Sequence, residues 1–419
     1  KYTVLPRLVV SGSWECYIRS TMEDMTIEIT SLSQDGRGVG RLDGRVCFVE
    51  GALPGEVVRA RIVREKRSLL EAVAFGLVLS SPARCQPVCT ESRCGGCPLR
   101  TMEYQAQLEA KRRIVEEQLV RIGKIPDARV LPMVGMDDPF GYRNRVRLVW
   151  NGQNLVFRAR RSHESGGRIG ACRIASSGVV SLALAVEECL KNGSIRMRRE
   201  CEVLVRQGLY GFIGFSGDRE VWVSDDAFEF LSSAGAATIV CDLDEWETGF
   251  FGEEYRPDIE YHVCGMAFSA KGRSFFQTNA WMAERLFADV LAGFAGDSRG
   301  TVIDLYGGVG APGLLFAREG WRVISVEIDP FAVRAAAFNA ACAGLAFEAC
   351  EGDAALVLPA LLGQHPDALL LVDPPRAGLA SEVSEALCRH APQRIVMISC
   401  DPATMARDAG RLIASGRYR

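Results

Sequence analysis

The order of apolar and polar positions divides the chain into stretches of different period. Between 25 and 84, short runs alternate (Thr26-Ile-Glu-Ile29, Val46-Cys-Phe-Val49, 56–61 and 71–75), separated by Asp35-Gly36, Gly38, Gly40, Asp43-Gly44 and Pro54-Gly55. Alternation of period two marks half-buried strands, and strands so closely spaced by glycine turns predict a small β-barrel. Residues 102–122 change to a helical period, with Tyr104, Leu108, Val115, Leu119 and Ile122 on one face, which predicts a packing helix. Beyond a Pro/Gly-punctuated linker at 123–139, short strands dominate from 142 to about 268, with one helix near 181–190. The character switches again at Ser274-Phe-Phe-Gln-Thr-Asn279. A helix is expected over 280–291, and from 300 onward largely apolar strands alternate with helical stretches. That alternation predicts a parallel, doubly wound sheet.

The expected organisation is therefore an extension without a readable pattern (1–24), an OB-like barrel (25–84), a mixed, mostly-β central domain (85–270) and a Rossmann-like α/β domain (271–419). A chain of 419 residues with 48% hydrophobic and 24% charged content suits two or three soluble globular domains. No apolar run approaches the ~20 residues that span a bilayer, so no membrane partner is expected. Residues 1–24 lack the sections of a signal peptide, and fifteen unevenly spread cysteines then favour reduced thiols and a cytoplasmic setting. The net charge of −3 excludes a uniformly basic protein. A local patch nevertheless exists: Arg143, Arg145, Arg147, Arg158, Arg160, Arg161 and Arg168 face one acid, Glu164, between 141 and 170. Arginine without lysine suits bidentate phosphate recognition and points to RNA or DNA.

Two groups of residues carry candidate chemistry. Cys85, Cys89, Cys94 and Cys97 fall within thirteen residues, too close for core packing, and their CxxC spacing fits a zinc ion or an iron–sulfur cluster equally. The second group stands at strand ends: Asp304-Leu-Tyr-Gly-Gly-Val-Gly310, Asp373-Pro-Pro-Arg376, and Ile398-Ser-Cys-Asp-Pro-Ala-Thr404 with Cys400. A lone cysteine after an apolar strand is usually a small buried hydrophobe. Three polar or glycine-rich strand ends in one α/β sheet instead converge on one site. Glu327, about twenty residues after the glycine loop, is placed to accept hydrogen bonds from ribose hydroxyls. Asp353 offers another carboxylate at a strand end. The loop lacks GK[ST], which disfavours an NTPase.

Several phrases together carry a resemblance. The segment SQDGRGVGRLDGRVCFVEGALPGEVV is similar to the TRAM domain. CTESRCGGC, FFQTN, DLYGGVG, VEID, GDA, DPPRAG and ISCDPATMARD follow the order and spacing of the uracil-5 RNA methyltransferases. The likeness spans about 25–419 and is strongest to the branch acting on 23S ribosomal RNA. The tRNA branch generally lacks barrel and cluster. The resemblance implies S-adenosylmethionine contacts at Gln277, Tyr306, Ala311, Glu327, Asp353 and Asp373. It implies Cys400 as nucleophile, Asp373 beside the uracil, Phe275 stacked on the flipped base, and a [4Fe-4S] cluster on Cys89, Cys94, Cys97 and Cys172. Four residues rather than the common five separate Cys89 from Cys94, which leaves Cys85 as a substitute ligand.

Three departures stand out. Gly307 replaces a common cysteine, a change expected to be tolerated. Asp401 replaces an asparagine beside the nucleophile and, unless neutralised, would raise the Cys400 thiol. In the family the resemblance points to, the general base is a glutamate near the C-terminus, whereas no Glu follows Glu385 here; the expectation is either a further segment beyond Arg419, which is favoured, or a protein that cannot release its product. Rival readings are the same chemistry on tRNA, an amino-group methyltransferase that needs no cysteine, and a non-catalytic RNA-binding or assembly factor.

Overall fold

A computed structural model describes residues 24–160, 162–197, 201–217, 221–241, 257–294 and 299–418. The chain divides into two compact units, residues 1–85 with 101–103, and residues 86–100 with 104–419.

In the first unit, strands Asp24–Leu32, Gly38–Leu42, Arg45–Glu50, Leu69–Leu79 and Val57–Glu65 close, in that spatial order, into a barrel. The period-two pattern does what it predicts. Ile27, Ile29, Cys47, Val49, Val58, Ala60, Leu70 and Ala72 turn inward as the core, while their neighbours face out. Asp43 and Gly44 both take positive φ (49° and 78°), the backbone of a two-residue hairpin turn. Gly40 is glycine for want of room: a Cβ there would lie 2.3 Å from the Glu28 carbonyl oxygen. Buried Glu56 accepts hydrogen bonds from Leu53 N–H and Arg84 and so fastens the end of the barrel.

The second unit holds two main sheets. The central one runs Ala236–Val240, Gly211–Ser216, Glu202–Gln207, Arg145–Trp150, Leu155–Arg158, Ser165–Arg168. Helix Ser177–Asn192 covers it by burying Val179, Leu182, Ala183 and Val186. The other is a parallel sheet in the order Phe347–Glu351, Arg322–Glu327, Thr301–Leu305, Leu369–Val372, Arg394–Met397. The chain winds outward in one direction from Thr301–Leu305 and then returns to its other side. The crevice at that reversal is where such sheets hold ligands.

The helix expected over 102–122 is Tyr104–Arg121, yet none of its residues is fully buried. Its apolar face is only half covered. Its end instead meets the last helix, Pro402–Ala414, where a Cβ on Gly410 would lie 2.4 Å from the Gly123 carbonyl oxygen. Among the described residues no helix is long and apolar enough to cross a membrane.

Candidate active site

The carboxyl end of Thr301–Leu305 turns sharply. Tyr306 takes a left-handed φ of 62°, Gly308 and Gly310 follow at 55° and 86°, and helix Ala311–Arg318 begins with no side-chain cap. That leaves buried Ala311 at a helix N-terminus whose first N–H groups point out of the turn. Glu327 holds this loop. Its carboxylate accepts hydrogen bonds from Gly308 N–H (3.0 Å), Ile328 N–H (2.8 Å) and Asp329 N–H (2.9 Å). A carboxylate has about four acceptor positions, so one stays available to a ligand. Asp353 caps the helix Ala354–Gln364 through Ala355 N–H (2.9 Å). The half-buried Tyr306 phenol is raised by burial and then by Asp353, Asp408 and Glu327.

Gly307 is tighter than the sequence suggests. A Cβ there would meet Ser325 Oγ at 2.0 Å and Asp304 Oδ2 at 2.9 Å. Any side chain at this position requires Ser325 to give way. Asp304 opens the glycine-loop phrase in the sequence, yet its side chain lies inside the sheet. It is buried beneath the loop, and burial, followed by the charge of Asp373, pushes it up to about 8. Asp373 rises only to about 6, through burial. The inner carboxyl therefore holds its proton to higher pH than the outer one. An aspartate inside the apolar run Val302-Ile-Asp-Leu305 was the available signal.

Asp373 and Cys400 end adjacent strands. Val372 pairs with Met397, and Ile398 N–H donates to the Val372 carbonyl at 2.8 Å. Cys400 is exposed at this edge. Asp401 caps the helix Pro402–Ala414, its carboxylate accepting from Ala403 N–H (3.0 Å) and Thr404 N–H (3.1 Å). Asp408 is buried and tied to Leu379 N–H and Arg407. Neither late acid is free to act as a base.

The Phe-Phe-Gln segment splits its two aromatics. Phe276 is buried and stacks on Tyr261 with centroids 4.3 Å apart, whereas Phe275 is 62% exposed. Asn144 supports the segment by donating from its side chain to the Gln277 carbonyl (3.0 Å) and from its backbone to Thr278 O (3.0 Å).

Cys97 is pushed up to about 11 by burial and then by Cys172, Cys94 and Cys89. Cys94 bridges to Ala159, and Gly167 leaves no space for a Cβ against Cys94. Cys85 falls in the first unit. Among the described residues no three His, Cys, Asp or Glu side chains stand in metal-holding geometry, so a formed metal centre is not shown. The arginine patch is also less free than its sequence implies. Arg147 and Arg158 pair with Glu202, and Arg168 pairs with Glu91. Arg161 lies outside the described residues.

A parallel sheet with a glycine loop and carboxylates at its reversal point defines a methyltransferase fold, and the solved structures agree. Pyrococcus abyssi tRNA (uracil-54, C5)-methyltransferase, in complex with S-adenosyl-L-homocysteine, matches with a TM-score of 0.71 at 23% identity, over 92% of each chain. The TRAM domain family matches residues 19–75. An uncharacterized RNA methyltransferase of Gloeobacter violaceus is 31% identical over 94% of this chain and 91% of its own. Another, from Halalkalibacterium halodurans, is 31% identical over 96% and 92%. The chain belongs to this family of RNA methyltransferases, with an N-terminal TRAM barrel.

Proposed function

We propose that the protein methylates carbon 5 of a uridine in RNA, with S-adenosylmethionine as the methyl-donating co-substrate. The observation that carries this reading is the placement of exposed Cys400 and Asp373 on neighbouring strand ends beside the glycine loop. Carbon 5 of uracil is too poor a nucleophile to take a methyl group unaided. Addition of the Cys400 thiolate to carbon 6 forms a C–S bond and moves the ring electrons onto carbon 5, which then takes the methyl group. Loss of the carbon 5 proton to a base returns the electrons and breaks the C–S bond, which frees the thiolate. Asp373 faces the uracil edge, and Phe275 stacks on the flipped base. Gln277, Tyr306, Ala311, Glu327 and Asp353 surround the co-substrate.

RNA is supported by the barrel as well. Phe75 is 46% exposed, with the guanidinium groups of Arg59 and Arg61 over its ring at 5.5 and 5.6 Å. An exposed ring flanked by cations suits base stacking and phosphate contact. We place 23S ribosomal RNA first as substrate and tRNA second. Cys89, Cys94, Cys97 and Cys172 fit a [4Fe-4S] cluster in donor type and number. Iron and sulfide analysis of anaerobically purified wild type and Cys172→Ala tests that assignment.

The function is tested by trapping on 5-fluorouridine RNA with S-adenosylmethionine present. Fluorine at carbon 5 cannot leave as a proton, so the adduct persists. The expected result is a denaturation-resistant protein–RNA band that depends on the co-substrate and is absent in Cys400→Ala. No band from protein that binds both ligands would overturn the covalent mechanism.

A further inference from the structure

Asn339 is a buried asparagine that the proposed reaction does not touch. It lies on the helix Pro330–Ala343, just beyond Glu327. Both amide protons on its Nδ2 are used: one goes to the Val309 carbonyl (3.0 Å) and one to the Ser269 carbonyl (3.1 Å). Its Oδ1 accepts Ser269 N–H (2.8 Å). The amide fits only this way round, because the reverse would set an oxygen against two carbonyls. Asn339 therefore grips two segments that are distant in the chain. Val309 stands in the glycine loop, and the N–H of its neighbour Gly308 is held by Glu327. Ser269 stands in the strand Met266–Ala270, which pairs with Ile259–Val263.

From Ser269 the chain reaches Phe275 with little slack. The Ala270 carbonyl accepts Asp258 N–H (3.0 Å), and the Asp258 carboxylate accepts Gly272 N–H (2.8 Å). Buried Arg206 donates to the carbonyls of Lys271 (3.2 Å), Gly272 (2.6 Å) and Ser274 (2.9 Å). Ser274 N–H closes the turn on the Lys271 carbonyl (3.1 Å). Leaving a buried donor or acceptor unpaired is costly, so the glycine loop and this run move together or not at all. We infer that Asn339 is a positioning residue that couples the two halves of the active site. Co-substrate on the glycine loop sets Phe275 for the target base, and the bound base tightens the co-substrate by the same factor, as linkage requires. The inference rests on the proposed roles of the loop and of Phe275.

The test measures S-adenosylhomocysteine affinity with and without a saturating hairpin RNA that carries one loop uridine, in full-length wild type and Asn339→Ala. RNA is expected to tighten the wild type by about fivefold or more, and the ratio should fall to about one in Asn339→Ala. A merely structural asparagine would lower the melting temperature or weaken both ligands and leave the ratio as in wild type; that result overturns the inference. Wild type alone supplies a second readout. Amide exchange in the peptide holding Ser269 and Gly272 should slow when S-adenosylhomocysteine is added without RNA. Unchanged exchange there overturns the inference even if Asn339→Ala fails to fold. If wild type binds both ligands with a ratio of about one, the coupling falls and the methyltransferase reading stands. If wild type binds no RNA, that reading falls and takes the inference with it.

Discussion

The main-chain N–H of Leu379 donates to the buried carboxylate of Asp408 at 2.8 Å, which fastens the loop that starts at Asp373 to the helix that follows Cys400. Arg407 closes the connection by donating to Asp408 (2.8 Å) and to the Ala377 carbonyl (2.9 Å). Thr404 adds a bond to the Arg376 carbonyl at 3.3 Å. Asp408→Asn keeps the shape and removes the charge. Hydrogen bonds to charged groups contribute about 1.5–3 kcal/mol each, so a loss of about 2 kcal/mol is expected in urea unfolding. Methyl transfer should fall at least tenfold with little change in co-substrate affinity. Unchanged stability would mean that the tie is idle.

Asp304 and Asp373 predict pH effects of opposite sign on stability and on rate. Both have folded pKa values, about 8 and about 6, above the ordinary 3.8. The folded state therefore holds protons that the unfolded chain has released. Their contribution to stability is complete below about pH 4 and is lost as pH rises through about 6 and then about 8. Asp304→Asn should flatten the upper part of that decline in melting temperature. Methyl transfer should run the other way and fall as Asp373 takes up its proton below about pH 6. Asp373→Asn should be nearly inactive across the range.

At Gly307 the prediction concerns a pair. Gly307→Ala drives a Cβ into Ser325 Oγ and is expected to cost about 1–3 kcal/mol, as overpacking does. Ser325→Gly in the same chain removes the opposing hydroxymethyl and should recover most of that loss. Equal losses in the single and double variants would place the strain elsewhere.

Phe75 tests the barrel. Phe75→Ala removes an exposed ring and should leave the melting temperature within about 2 °C, since surface changes seldom exceed ±0.5 kcal/mol. Stacking on one base is worth about 1–3 kcal/mol, so RNA affinity should fall by roughly 5- to 150-fold in a filter-binding titration. Unaltered affinity would leave the barrel without this contact.

Elements with a strict period were legible in the sequence, and so were the strand ends that carry Cys400, Asp373 and the glycine loop. Period two placed the barrel core at Ile27, Ile29, Cys47 and Val49. Asp43-Gly44 announced its turn because few residue pairs accept two positive φ values. What escaped was decided by partners distant in the chain. Asp401 reads only as a charge beside the thiol until the helix it caps is seen. The arginines at 147, 158 and 168 read as a phosphate patch until Glu202 and Glu91 are found beside them. Nothing local to Arg206 in Glu202–Gln207 says that the 271–274 turn will close over it.

Asn144 joins two parts of this unit through one backbone unit and one side chain. Its carbonyl accepts Gln207 N–H at 2.8 Å, its N–H donates to Thr278 O, and its side chain reaches the Gln277 carbonyl. The central sheet and the segment bearing Phe275 therefore share a hinge pin. Amide exchange at Asn144 and Gln207 should slow together when RNA engages Phe275, because neither part can open without releasing the other. Occupancy at the base-stacking residue would then be felt, as rigidity, inside a sheet that the base never touches.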